Sequence, residues 1–159
     1  MEEPEPESRA EHARRFAPAQ ALETDPDRSV LVVDDHRLGR RLMARVLEPA
    51  GFDTVEAGSL QEAADALTRH RPVAVVLDRC LPDGDGLELA RRFRDDPRLA
   101  ACAIVVCSAS DRGGEHEEAI RAGADEYVVK PIDTRRFAAM LAELVARRQR
   151  AVRTASRAR

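Results

Sequence analysis

The 159-residue chain has no tryptophan, one tyrosine and a single lysine, Lys130; the rest of its 26 basic residues are arginines. With aromatics at 3% and hydrophobic residues at 43%, its core must be built mainly from Val, Leu, Ile and Ala. No apolar run approaches the ~20 residues of a membrane-spanning helix; the longest, such as Val73 to Leu77 and Ala103 to Cys107, are of strand length. Residues 1–20 are acidic and carry prolines instead of a basic-then-apolar order, which excludes a signal peptide. The three cysteines, Cys80, Cys102 and Cys107, are odd in number and lack C-x-x-C spacing. That fits reduced thiols in a cytoplasmic protein and gives no support to a metal-thiolate site. What remains is enough for one soluble domain with some spare chain.

Charge is uneven along the chain. Residues 1–28 carry eight acids and four arginines, residues 146–159 carry six arginines and no acid, and the overall net charge of −3 leaves −5 for the middle. A negative middle argues against the folded part being a nucleic-acid module. Residues 1–28, with Pro4, Pro6, Pro18 and Pro26 and no sustained apolar period, predict a disordered leader, with room for a short helix around Ala10 to Phe16. The folded domain is expected over 29–146, followed by an Arg-rich tail over 147–159 that continues the last helix.

From Ser29 onward apolar runs alternate with helical periods, the pattern of a parallel sheet with crossover helices. Strands are expected at Val30 to Val33, Phe52 to Glu56, Val73 to Leu77, Ala103 to Cys107 and Glu126 to Val129. Helices are expected from Arg37 to about Glu48, after Ser59 to a stop at Pro72, at Leu87 to Phe93, at Glu115 to Arg121, and from Thr134 to at least Arg147. Ser59 and Glu62 have capping-box spacing. Val73 to Leu77 is apolar without interruption, so that strand should be central, with both faces covered. Five strands and five helices in strict alternation predict one doubly wound α/β domain.

In such sheets ligands bind beyond the carboxyl ends of the strands. The polar residues there are Asp34 and Asp35 after the first strand, Asp78 after the third, Ser108 after the fourth and Lys130 after the fifth. Three carboxylates brought together repel one another unless a cation lies among them, and a hard divalent ion with oxygen ligands, Mg²⁺, suits such a set. A hydroxyl and a lysine opposite would suit a phosphoryl group. With no Cys-His or Ser-His pairing on offer, one carboxylate is the candidate nucleophile.

These residues stand in V-V-D-D-H, V-V-L-D-R-C-L-P-D-G-D-G, V-V-C-S-A and G-A-D-E-Y-V-V-K-P, and with them the chain resembles a response-regulator receiver domain of two-component signalling over about Ser29 to Ala146. The resemblance implies a flavodoxin-like sheet of strand order 2-1-3-4-5. It implies that Asp78 is the phosphoacceptor and that Mg²⁺ is held by Asp35, Asp78 and the Cys80 backbone carbonyl, with Asp34 acting largely through water. Ser108 matches the hydroxyl that follows the phosphoryl group, Ala109 the small residue beside it, and Tyr127 the aromatic switch. Lys130 matches the phosphoryl-pairing lysine, and its bond to Pro131 the family's cis peptide. The implied partners are a sensor histidine kinase or histidine phosphotransfer protein, a downstream target protein, and a second copy of the phosphorylated chain, with no membrane partner. The only catalysis implied is of the domain's own phosphorylation and dephosphorylation. No effector domain is expected within the chain.

Other readings attach to the same residues. An Asp-Asp pair after a strand also serves as a helix cap. D-G-D-G at Asp83 to Gly86 alone is a turn, and Leu87 breaks the calcium-loop pattern. Gly84 and Gly86 lack the third glycine of a dinucleotide fingerprint, and a haloacid-dehalogenase-type phosphatase would want an acid where Cys80 stands. Cys80 itself either tunes hydrolysis or is a passive small residue, and Tyr127 either switches or packs. A degenerate receiver that binds partners without phosphorylation, and nucleic-acid contact through the Arg-rich tail, are the alternatives to a phosphorylated switch.

Overall fold

The computed structural model describes residues 28–159. The leader assigned to 1–28, with its short helix near residues 10–16, lies outside the described residues apart from Arg28. Five strands, β1 (Ser29–Val33), β2 (Asp53–Ala57), β3 (Ala74–Asp78), β4 (Ala103–Ser108) and β5 (Glu126–Val129), alternate with α1 (Arg37–Leu47), α2 (Leu60–Leu67), α3 (Gly86–Asp95), α4 (Glu115–Arg121) and α5 (Thr134–Arg157). All pairings within the sheet are parallel and the order is β2-β1-β3-β4-β5, as expected. Two 3₁₀ turns, Glu48–Ala50 and Pro97–Leu99, and a small antiparallel ribbon of Cys80–Leu81 with Gly84–Asp85 are additions that the apolar pattern does not reveal.

Alternate residues of the strands feed two cores. On one face Leu31, Val33, Val75, Leu77, Ile104 and Val106 pack with α2, α3 and α4 residues such as Ala63, Phe93 and Ala119. On the other, Val30, Val32, Val76 and Val105 meet Met43 and Leu47 of α1 and Phe137, Leu141 and Leu144 of α5. The first four residues of β3 are buried, which confirms it as the central strand.

Every helix start except that of α4 follows a polar residue. Ser59 Oγ accepts from the Glu62 amide at 3.1 Å, but the reciprocal arm of the box goes to the Gly58 amide, which donates to Glu62 Oε2 at 2.6 Å. The two acids of D-G-D-G are more than a turn. Asp85 caps α3 by accepting from the Leu87 amide, and Asp83 reaches across to cap α2, accepting from the Leu60 and Gln61 amides at 2.8 and 3.0 Å. Those two donors hold the Asp83 carboxyl below its usual range. α2 stops at Leu67, well short of Pro72, with its last carbonyls taken by Thr68, Arg69 and His70 amides.

α5 continues without a break to Arg157, so most of the Arg-rich tail is helical. One of its arginines also fastens the domain. Arg148 Nε donates to Asp125 Oδ1 at 2.6 Å, while Asp125 Oδ2 accepts from Arg94 Nη2 and from the Ile104 amide, both at 2.8 Å. α3, β4, α5 and the loop before β5 are thus joined at one carboxylate.

Gly86 shows how tightly α3 is set against the sheet. A Cβ there would collide with the Asp78 carbonyl oxygen, and its amide donates to the Arg79 carbonyl at 2.7 Å. Gly86→Ala is expected to lower stability by about 1–3 kcal/mol, the usual cost of overpacking a closed contact. Urea denaturation measures it, and an unchanged midpoint would contradict the close approach.

Candidate functional site

Asp78 is the last residue of β3 and Ser108 the last of β4, so both are held by ladder pairing, with Cys107 and Val129 respectively, and neither hangs in a loop. Asp34 and Asp35 follow β1; the Asp34 amide donates to Ala57 on the neighbouring strand. Lys130 follows β5, its amide donating to the Ser108 carbonyl at 2.8 Å, and the Lys130–Pro131 bond is cis. The sheet order thereby brings residues 34, 78 and 130 to the same rim.

There the carboxylates of Asp34, Asp35 and Asp78 each offer an oxygen within 4.8 Å of the others. Lys130 Nζ lies 3.2 Å from Asp34 Oδ2 and 3.3 Å from Asp78 Oδ2. Asp34 is already engaged, since its Oδ1 accepts from the His36 amide at 2.8 Å and its carbonyl from Arg40 Nη1 at 2.6 Å. Gly39 leaves room for it: a Cβ there would stand 3.1 Å from Asp34 Oδ2. Asp78 Oδ1 accepts from the Cys80 amide at 3.2 Å, which brings the backbone at 80 to the cluster.

Burial pushes the Asp78 carboxyl above its usual range; Lys130 and the Cys80 amide pull it down, and Asp34 adds to the rise. For Lys130, burial opposes the charge, but the Asp78 and Asp34 carboxylates outweigh it and raise the ammonium above its ordinary value. Three carboxylates against one ammonium leave an excess of negative charge, and their oxygens converge closely enough to share one ion. The residues therefore fit a hard divalent cation.

Ser108 is buried, its Oγ accepting from the Ser110 amide at 3.2 Å. Tyr127 is buried too, its ring turned into the core beside α4 and stacked on His116 at 5.9 Å. Its hydroxyl proton has two acceptors, the Ser110 carbonyl at 2.6 Å and Glu115 Oε2 at 3.0 Å. Both sit in or just beyond the loop that leaves Ser108. The two switch candidates thus meet through Ser110.

Sequence reasoning missed Arg79. Its guanidinium reaches α4, with Nη2 2.6 Å from Glu118 Oε2 and 3.8 Å from Asp85 Oδ2, and Nη1 3.9 Å from Glu115 Oε1. The only advance signal was the acidic pair Glu115 and Glu118, three apart on one helix face, which calls for a cation from elsewhere.

The cysteines divide by burial. Cys102 and Cys107 are buried and Cys80 is exposed beside the site. Burial pushes the Cys107 thiol up to about 12, and raises Cys102 as well. Because the thiolate is the nucleophile, iodoacetamide at pH 8 is expected to alkylate the native protein once, at Cys80, and three times after unfolding. Peptide mass mapping checks this, and native modification of Cys107 would refute the burial.

A doubly wound parallel sheet of order β2-β1-β3-β4-β5 defines the flavodoxin-like class of α/β domains, here with acids, a hydroxyl and a lysine at its carboxyl rim. Residues 30–142 match the model of the response regulator receiver domain, and the chain belongs to that family. The chain is 31% identical over 110 residues to the polar-differentiation response regulator DivK of Brucella anthropi, covering 69% of this chain and 89% of DivK. It is 32% identical over 120 residues to the phosphate regulon transcriptional regulatory protein PhoB of Pseudomonas aeruginosa, covering 76% of this chain and 52% of that protein. Among solved structures, a sensor protein from Polaromonas sp. JS666 superposes with a TM-score of 0.69 at 32% identity, over 76% of this chain and 98% of that one. A CheY-like receiver domain protein from Methanospirillum hungatei JF-1 gives a TM-score of 0.71 at 20% identity, over 78% and 98%, and shows the shared fold.

Proposed function

We propose that the chain is a phosphorylated switch that takes a phosphoryl group onto Asp78 from a histidine kinase or histidine phosphotransfer protein and changes its binding to a target protein. The observation that carries this reading is the convergence of Asp34, Asp35 and Asp78 with Lys130 at the carboxyl ends of the strands.

Asp34, Asp35, Asp78 and the backbone carbonyl of Cys80 would hold Mg²⁺, which when bound neutralises the oxygens of the transferring phosphoryl group. Asp78 attacks phosphorus, a P–O bond forms as the P–N bond to the donor imidazole breaks, and the ring nitrogen leaves with the electron pair. Lys130 holds a phosphoryl oxygen through the transfer. Hydrolysis then releases inorganic phosphate and restores the Asp78 carboxylate. The chain turns over its own acyl phosphate and no other substrate, so it is a regulator and not an enzyme in the ordinary sense.

A mostly apolar groove of about 310 Å³, lined by Gly39, Leu42, Met43, Pro131 and Ile132, opens beside Asp78 and Lys130. Leu38 and Leu42, 69% and 55% exposed, stand on the same helix and suit a docked phosphodonor protein. Among the described residues no helix is long and apolar enough to cross a membrane.

Acetyl phosphate with Mg²⁺ is expected to phosphorylate the full chain close to stoichiometrically. EDTA should abolish the reaction and added Mg²⁺ restore it, as followed by intact mass. Phosphorylation that ignores the chelator would overturn the metal assignment. An absence of both phosphorylation and any spectral response to beryllofluoride with Mg²⁺ would instead favour a binding module that needs no phosphorylation.

A further inference from the structure

α4 is weakly fastened for an element so near the site. Within its seven residues only Ala119 is buried, its N-cap is Gly114 with no side-chain cap, and Ile120 is 43% exposed. Gly113 and Gly114 before it stand in open space. Packing of so little apolar surface does not fix a helix strongly.

Beyond Ala119, what holds α4 in place is polar: the Tyr127 hydroxyl reaches Glu115, and Arg79 reaches Glu118 and faces Glu115. Arg79 follows Asp78 directly, and its backbone is pinned by its amide donating to Cys107 at 3.0 Å and its carbonyl accepting from Gly86 at 2.7 Å. Its side chain, 16% exposed, pairs with Glu118 at 2.6 Å. That hydrogen bond is the main reason its guanidinium holds its proton more firmly than usual. Nη1, by contrast, is buried without a hydrogen-bond partner, 3.9 Å from Glu115 Oε1, whose other oxygen lies 3.0 Å from the Tyr127 hydroxyl. A shift of α4 toward the sheet by about 1 Å would close that gap to a charge-assisted hydrogen bond.

We propose that Arg79 is a positioning residue that couples the Asp78 turn to α4 and, through Glu115, to Tyr127. One contact is made and a second stands just out of reach, so small movements of the turn that carries Asp78 and Cys80 reach the helix through a stiff planar group. Without Arg79, Glu115 and Glu118 repel each other three residues apart, and the helix loses its tie to β3. The turn in exchange loses its anchor on α4, which makes Asp78 less well organised for a phosphoryl group. This last consequence rests on Asp78 being the acceptor; the first two do not.

The chain reports on itself, because Tyr127 is its only tyrosine and it has no tryptophan. In Arg79→Met, acrylamide quenching of tyrosine emission is expected to rise at least twofold. Amide exchange across residues 115–121 should quicken about tenfold while α2 and β1 keep their protection, and the beryllofluoride midpoint with Mg²⁺ should rise threefold or more. Arg79→Lys should recover part of all three, and Arg98→Met, which removes the exposed partner of Asp96, should change none. Wild-type quenching and exchange in Arg79→Met would overturn the inference, as would loosening spread evenly over the domain. A wild type that ignores beryllofluoride, with the quenching and exchange effects intact, would sink the phosphoacceptor reading and leave the coupling standing.

Discussion

Asp78→Asn is expected to lose phosphorylation by acetyl phosphate to below about 1% of wild type, because an amide cannot supply the attacking oxyanion. The variant should fold. Asn can still accept from the Cys80 amide, and the charge it removes is one that burial already works against. The direction of the stability change follows from the raised Asp78 carboxyl. An acid whose folded value lies above its unfolded one costs stability at higher pH, and the cost fades as pH falls through the raised folded value. In EDTA near neutral pH the variant should therefore be at least as stable as wild type, and Mg²⁺ should stabilise wild type more. Intact mass and thermal melts with and without Mg²⁺ check both halves. Label kept at the wild-type level in Asp78→Asn would remove Asp78 from the mechanism.

Lys130→Met is expected to slow phosphorylation about 100-fold, in line with the loss of one preorganised group that stabilises transition-state charge. In the metal-free protein it also takes away the only cation that, among the described residues, is hydrogen-bonded to both Asp34 and Asp78, for a destabilisation of about 1–3 kcal/mol. Lys130→Arg should recover the stability better than the rate, because a planar fork keeps the charge but cannot place it as a compact ammonium does. Single-turnover phosphorylation and urea denaturation separate the two effects. A Lys130→Arg protein with wild-type rate and wild-type response of Tyr127 to beryllofluoride would show that any cation suffices. The chain uses arginine everywhere else, which makes this position the informative one.

The strands were legible because the chemistry is local, whereas their order came from the resemblance to receiver domains. Uninterrupted apolar runs such as Val73 to Leu77 can only be central strands, and helical spacing between them forces right-handed crossovers. α4 and β5 fall where periodicity places them; β3 and β4 each end one residue later than expected, at Asp78 and Ser108, because the ladder extends through the functional residue. The 34/35/78/108/130 set was legible for the same reason, each member standing next to a strand end. The ribbon at Cys80 to Asp85 was not, since four residues of antiparallel pairing leave no apolar period. Nor was the work of Asp125, which accepts from two arginines and a β4 amide.

The sequence by itself determined the fold class, the five-strand alternation and the identity of the residues at the rim, because hydrophobic periodicity and strand-end position are properties of short segments. The tertiary structure alone decided which distant groups meet. It turned Asp83 into a cap for α2, Arg148 of the expected tail into a fastener on Asp125, and Tyr127 inward onto the Ser110 carbonyl. It also carried the side chain after Asp78 across to Glu118 on a helix 39 positions away. Charged side chains choose partners across space by reach and counter-charge, and no local pattern records that choice.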